Sequence, residues 1–165
     1  MNIDNLKQQI LQAVEKGDIA QLYMLEQKAN DLFDENTLIN YYKNILDLAL
    51  ERLTDTLEKH AKFDLKNVQD FATVRALYEY AMEHYHARKN SDAAALFEIL
   101  SGIVNDEKFS NAMNIHTIVA NTDIDLDTFL QEYADMEKIE QSGTFYIGDF
   151  TQKVQNLLEQ SKGNN

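Results

Sequence analysis

Glu83-His84-Tyr85-His86 places three side chains capable of chemistry within four residues. The Glu83-x-x-His86 spacing brings a carboxylate and an imidazole onto one face of a helix, where both could ligate a metal ion. Such a site needs a second pair from another helix, and none occurs. His84 and His86 lie about 200° apart around a helix, so they cannot face one ion together. A pair of surface histidines is the plainer reading. Asp123, Asp125 and Asp127 alternate as at the start of a calcium loop, but Thr128 stands where glycine is needed and Ala134 where the closing glutamate is needed. The five glycines are scattered, so no loop cradles phosphate, and no serine or cysteine nucleophile set can be argued. No catalytic residue, metal or cofactor is expected.

Charge narrows the partners. Fifteen basic against 28 acidic residues give a net charge of −13, which repels nucleic acid and anionic membranes, so neither is expected as a partner. Asp123 to Glu140 holds seven acidic residues and one lysine. Within it Asp125, Asp127, Glu132 and Asp135 are candidates for docking a basic protein segment, the alternative being a solvated acidic face. Proline, tryptophan and cysteine are absent, which favours long helices and excludes disulfides. No apolar run approaches the ~20 residues of a membrane span, and MNIDNLKQQI lacks the basic and apolar regions of a signal peptide. A reducing cytoplasm is the expected location.

Helical periodicity then supplies the elements that must position these residues. Leu6, Ile10, Leu11 and Val14 share one side of a helix over Asn5–Lys16, which Gly17 ends. Asp18 with Gln21 forms a capping box for a helix carrying Ile19, Leu22, Leu25 and Leu32, ending near Asn30-Asp31. From Glu35 to Ala61 a seam of Ile39, Tyr42, Leu46, Ala49, Leu53 and Leu57 asks for a partner helix. The helix over 65–89, with Asp64 as its cap and Phe71, Val74, Tyr78, Ala81 and Tyr85 on one face, should lie antiparallel to it. Ser91 caps the next helix, which carries Leu96, Phe97, Leu100 and Val104. After a polar joint at 105–108 follow a helix over Phe109–Ala120 with Met113, Ile115 and Val119, and an acidic helix over 125–140 with Phe129, Leu130 and Tyr133. Gly148-Asp149 with Gln152 starts a last helix from Phe150 to Gln160, and the SKGNN tail should fray. Ala13-Val-Glu, Ala49-Leu-Glu, Ala81-Met-Glu and Ala112-Met-Asn also echo one another at spacings of 36, 32 and 31.

Two segments resemble known families. The hairpin over about 77–105 resembles a tetratricopeptide unit, with Leu77, Tyr80-Ala81, His84, Ala93 and Phe97 at its large, small, aromatic, alanine and aromatic positions. It departs at the turn, where Arg88 or Lys89 replaces glycine, and at Asn105, which replaces the terminal proline. The resemblance implies a scaffold that binds peptide segments and transfers no catalytic residue. His86-Ala-Arg-Lys89-Asn-Ser is similar to the His-x-x-Lys-Gly pattern of histidine phosphotransfer domains, with Asn90 in place of glycine. That similarity implies a four-helix bundle in which His86 carries phosphate and Lys89 neighbours it.

These readings converge on an all-α protein, a helical bundle or stack of α-hairpins with about seven to eight helices and a long antiparallel central pair. Residues 1–141 form the helical domain. Residues 142–165 form an extended segment plus a short helix packed on it, in which Phe145, Tyr146, Ile147 and Phe150 either pack back or project to dock a partner, with Phe145 and Tyr146 as the docking candidates. The expected function is a non-enzymatic protein-interaction module, an adaptor or small chaperone similar in class and composition to bacterial secretion and flagellar export chaperones. Its partner would be a helix or disordered segment of another protein.

Overall fold

Each helix begins or ends where a side chain, or a backbone turn, can satisfy backbone groups that the helix itself leaves free. In the computed structural model, which describes residues 2–163, α1 (Ile3–Lys16) starts with the Asn2 side chain accepting the Asn5 N–H at 2.8 Å. It stops at Gly17, whose φ of +66° lets the Asp18 N–H reach the Ala13 carbonyl at 2.8 Å and the Gly17 N–H reach Val14 at 3.0 Å. Asp18 caps α2 (Ile19–Met24) by accepting the Gln21 N–H at 3.0 Å. The helix expected to continue is broken at Leu25, and α3 (Glu26–Leu32) resumes after it. Asp34 caps α4 (Glu35–Glu58) through the Thr37 N–H.

α4 and α5 (Val68–His86), of 24 and 19 residues, are the longest helices among the described residues. They are antiparallel neighbours, as expected. Arg52 on α4 reaches Asp70 at 2.7 Å and Thr73 at 2.9 Å on α5, and the other Asp70 oxygen accepts the Asp64 N–H at 2.9 Å. Asp64 is not the α5 cap, because it turns back onto the Lys66 N–H; Asn67 accepts the Asp70 N–H at 3.0 Å instead. The α4 seam is also rotated from expectation. Tyr41, Ile45, Ala49 and Leu53 are the buried residues of this helix, a ridge at steps of four, while Ile39 and Leu57 stay exposed.

The chain divides between Leu77 and Tyr78, inside α5, into two compact units. In the first, α2, α3 and α4 pack with α1. The Tyr41 hydroxyl donates to the Leu22 carbonyl, and Gln69 donates to the Asp18 carboxylate at 2.6 Å while accepting the Ala20 N–H at 3.2 Å. Glu26 accepts from Tyr42 at 2.8 Å and from Arg75 at 3.1 Å, and the Arg75 guanidinium lies 3.9 Å from the Tyr23 ring centroid.

In the second unit, α6 (Asn90–Ile103) and α7 (Glu107–Ala120) form a tightly packed hairpin. Ser91 lies inside α6 and caps nothing; Lys89 precedes the helix without a side-chain cap. The turn between α5 and α6 instead uses Arg88 at φ +62°, with the Lys89 N–H bonded to His84 at 2.9 Å and the Arg88 N–H to Tyr85 at 3.0 Å. This is the closure seen at Gly17, built here with a side chain that disfavours it. Gly17→Ala should therefore lose about 1 kcal/mol, since a Cβ there meets nothing within 4 Å and only the backbone objects. Arg88→Gly should gain about 0.5–1 kcal/mol. Chemical denaturation of the two variants checks the pair of opposite signs.

The acidic helix expected over 125–140 is interrupted. α8 (Leu126–Thr128) runs into a π-helical turn, Phe129–Tyr133, closed by the Ala134 N–H on the Phe129 carbonyl at 2.9 Å, and α9 (Met136–Ser142) follows. Gly143 ends α9 at φ +66°. The last helix, α10 (Gln152–Gly163), starts two residues after Phe150, and Asp149 does not accept from its first turn. Phe150 is held instead in an isolated antiparallel bridge to Ala134. Ser161 to Gly163 belong to α10, while Asn164-Asn165, the end of the tail expected to fray, lies outside the described residues. Among the described residues there are no strands, and no helix is long and apolar enough to cross a membrane. The ten α-helices among the described residues exceed the expected seven to eight because Leu25 and Ala134 each split one helix in two. Ala13, Ala49, Ala81 and Ala112, the echoed alanines, are all buried.

Candidate functional site

The second unit encloses a cluster of rings around His116, a residue the periodicity of α7 could have revealed. Phe109, Ala112, Met113, His116, Val119 and Ala120 are the buried set of α7, at steps of three and four, whereas Ile115 is only half-buried. The face drawn through Ile115 missed the histidine by one position. His116 is 0 % exposed. Its Nδ1 lies 2.6 Å from the Ala112 carbonyl, which can only accept, so Nδ1 carries the proton. Nε2 then accepts the Tyr78 O–H at 2.9 Å, and the Tyr78 oxygen accepts the Ile147 N–H at 3.1 Å. Phe97 and Phe129 have ring centroids 4.9 and 5.2 Å from the imidazole.

Burial drives the His116 pKa down to about 4, against the smaller opposing effect of the Ala112 carbonyl. Burial also pushes the Tyr78 phenol up. Imidazole and phenol are therefore neutral at pH 7, each with its hydrogen bonds made. The pair joins α5, α7 and the segment after Gly143, and offers no open position to a substrate.

Phe145 and Tyr146 lie against this cluster. The Phe145 ring is 6.0 Å from both Tyr78 and Phe109, and Tyr146 packs edge-on to Phe109 at 5.0 Å. Tyr146 and Ile147 are buried, and Phe145 and Phe150 are half-buried. Burial, with Asp106 and Asp149 beside it, pushes the Tyr146 phenol up to about 12. Gly148 lets the segment close over its own ring, because a Cβ there would sit 2.9 Å from Tyr146 Cε2 and 3.3 Å from Lys108 Cε. The ring is held on several sides and cannot swing away, so Gly148→Ala should cost about 1–3 kcal/mol. Thermal unfolding reads this directly, and an unchanged midpoint would mean that the segment is not seated as described.

The acidic candidates fall in two places. Asp125 and Asp127 join Tyr85, His86, Arg88 and Leu126 around an open cavity of about 130 Å³. Asp125 caps α8 by accepting the Thr128 N–H at 2.8 Å. That hydrogen bond first, and the Arg88 guanidinium to a lesser degree, hold its carboxyl below the usual range. His86 is the final residue of α5, and His86 and Lys89 are exposed. The cavity mixes a guanidinium with two carboxylates, so neither a bare anion nor a bare cation is favoured in it. Glu132 and Asp135 lie apart from it. Glu132 pairs with Lys153, and Asp135 caps α9 through the Lys138 N–H at 3.2 Å. Among the described residues no three His, Cys, Asp or Glu side chains converge as a metal set. No protein-family model matches the chain, and neither a curated protein nor a solved structure matches it.

Proposed function

We propose that this protein is a non-enzymatic helical interaction module, an adaptor or small chaperone of the cytoplasm that holds a helix or disordered segment of another protein, in the manner of acidic bacterial export chaperones. The observation that carries the reading is the apolar surface left in water on the first unit. Met24 is 75 % exposed, Val68 69 %, and Ile39 and Leu11 58 % each. Large side chains of this kind, on a chain of charge −13, suit a partner that offers both apolar and basic groups.

Affinity capture from the native cell extract, followed by reconstitution from purified components, tests this. A complex that reforms from the two purified proteins and weakens with added salt is expected. Failure of every captured protein to rebind the purified chain ends the reading. The phosphotransfer alternative has less support, because His86 occupies a helix end instead of the middle of a long exposed face. Incubation with phosphorylated response regulators should leave His86 unlabelled, and an acid-labile phosphate lost in His86→Gln would favour that alternative.

A further inference from the structure

α4 carries two apolar lines, and the fold buries only one. The buried ridge is Tyr41, Ile45, Ala49 and Leu53. The second line is Ile39, Leu46, Leu50 and Leu57. Eighteen residues make five turns at about 100° each, so Ile39 and Leu57 lie on one line along the helix, with Leu46 and Leu50 within about 20° of it. The spacing of seven, four and seven is that of positions a and d in a coiled-coil heptad, whose other two such positions are the exposed Lys43 and the buried Leu53. Ile39 and Leu57 are 58 % and 49 % exposed, and Leu46 and Leu50 are half-buried. The strip is about 27 Å long, enough for a partner helix of some five turns.

We infer that this strip docks a basic amphipathic helix of another protein, an assignment that rests on the adaptor reading and names its surface and partner chemistry. The charge beside the strip selects the occupant. On its open side Lys43 lies nearest, about 40° from the line, and Asp47, Glu58 and Glu51 follow at about 80–120°; all are exposed, three carboxylates against one cation. A second copy of α4 would set these carboxylates against their equivalents, and two chains of charge −13 repel before they meet. A helix with leucine-like residues at steps of three and four, flanked by lysine or arginine, meets both the apolar line and the carboxylates.

The test uses the full chain and two synthetic peptides of about 21 residues, long enough to span the strip. Both carry leucine at a and d; one carries lysine and the other glutamate at the flanking positions. Fluorescence anisotropy should give saturable binding of the lysine peptide that weakens with salt, and at least about tenfold weaker binding of the glutamate peptide. Ile39→Ser with Leu57→Ser should weaken the lysine peptide at least about tenfold, with a smaller effect on the thermal midpoint than a core substitution, because both side chains are about half in water. If that variant proves unstable, Asp47→Lys with Glu51→Lys should reverse the preference between peptides. Absence of lysine-peptide binding, equal binding of both peptides, or affinity that survives both double variants overturns the inference. A dimer in sedimentation equilibrium that Ile39→Ser with Leu57→Ser abolishes would assign the strip to a second copy and overturn it too. Capture of the native partner undiminished by these substitutions would refute the strip while leaving the adaptor reading intact. Failure of every native partner to rebind the purified chain refutes the adaptor reading itself.

Discussion

Phe97→Ala is expected to destabilise the protein by about 3–5 kcal/mol, which approaches the whole stability of a small domain. Phe97 is 0 % exposed, and its ring centroid lies 6.2 Å from Tyr78, 6.3 Å from Tyr85 and 4.9 Å from His116. Removing it opens a void bounded by stiff rings on α5 and α7. Rings of that kind cannot collapse into the space as aliphatic chains can, which puts the cost toward the upper end. Ile99, on the same helix and 39 % exposed, is the control, and Ile99→Ala should cost less than about 1 kcal/mol. Urea denaturation of the two variants gives the contrast. A loss under about 1 kcal/mol for Phe97→Ala would mean that α6 does not pack on α5 and α7 as described.

Helix existence was legible because it depends on local pattern, and helix ends were legible where one side chain decides them. Gly17 and Asp18 acted as expected for that reason. Ends that depend on neighbours were not. Asp64 is drawn into an interaction with Lys66, leaving Asn67 to cap α5, and Arg88 takes the left-handed position that a reader assigns to glycine. The π turn at Phe129–Tyr133 is fixed by the bridge of Ala134 to Phe150 and by the Thr151 N–H on the Tyr133 carbonyl at 2.8 Å. Those partners are some seventeen residues away, beyond the reach of periodicity.

Which face of a helix is buried was less legible than the helix itself. On α4 the sequence offers two apolar lines that come within about 20° of each other at Leu46 and Leu53, and periodicity cannot say which one a neighbour will cover. The seam read from the sequence mixed members of both. Among the candidate site residues, Asp125, Asp127 and His86 come together around one cavity, while Glu132 and Asp135 are engaged elsewhere. Caps and ion pairs use carboxylates that composition alone presents as a uniform acidic surface.

His116 should make stability fall as the pH drops below about 6.5. In the folded chain burial lowers its pKa to about 4, against 6.5 for an ordinary histidine. The neutral form is the one the fold holds, so this contribution is complete above pH 6.5. As pH falls from 6.5 toward 4 the unfolded chain gains a proton that the folded chain refuses, and stability drops with it. Across that window the loss is on the order of 3 kcal/mol. His116→Gln is the comparison: it is less stable at pH 7, because one of the Tyr78 and Ala112 bonds is lost or strained, but its stability changes less between pH 6.5 and 4. His60, His84 and His86 are common to both proteins, so the difference between the two pH profiles isolates His116. Parallel profiles, or a His116 ring whose NMR shifts titrate near pH 6.5 in the folded protein, would mean that water reaches the imidazole and that the Tyr78–His116 pair is not sealed.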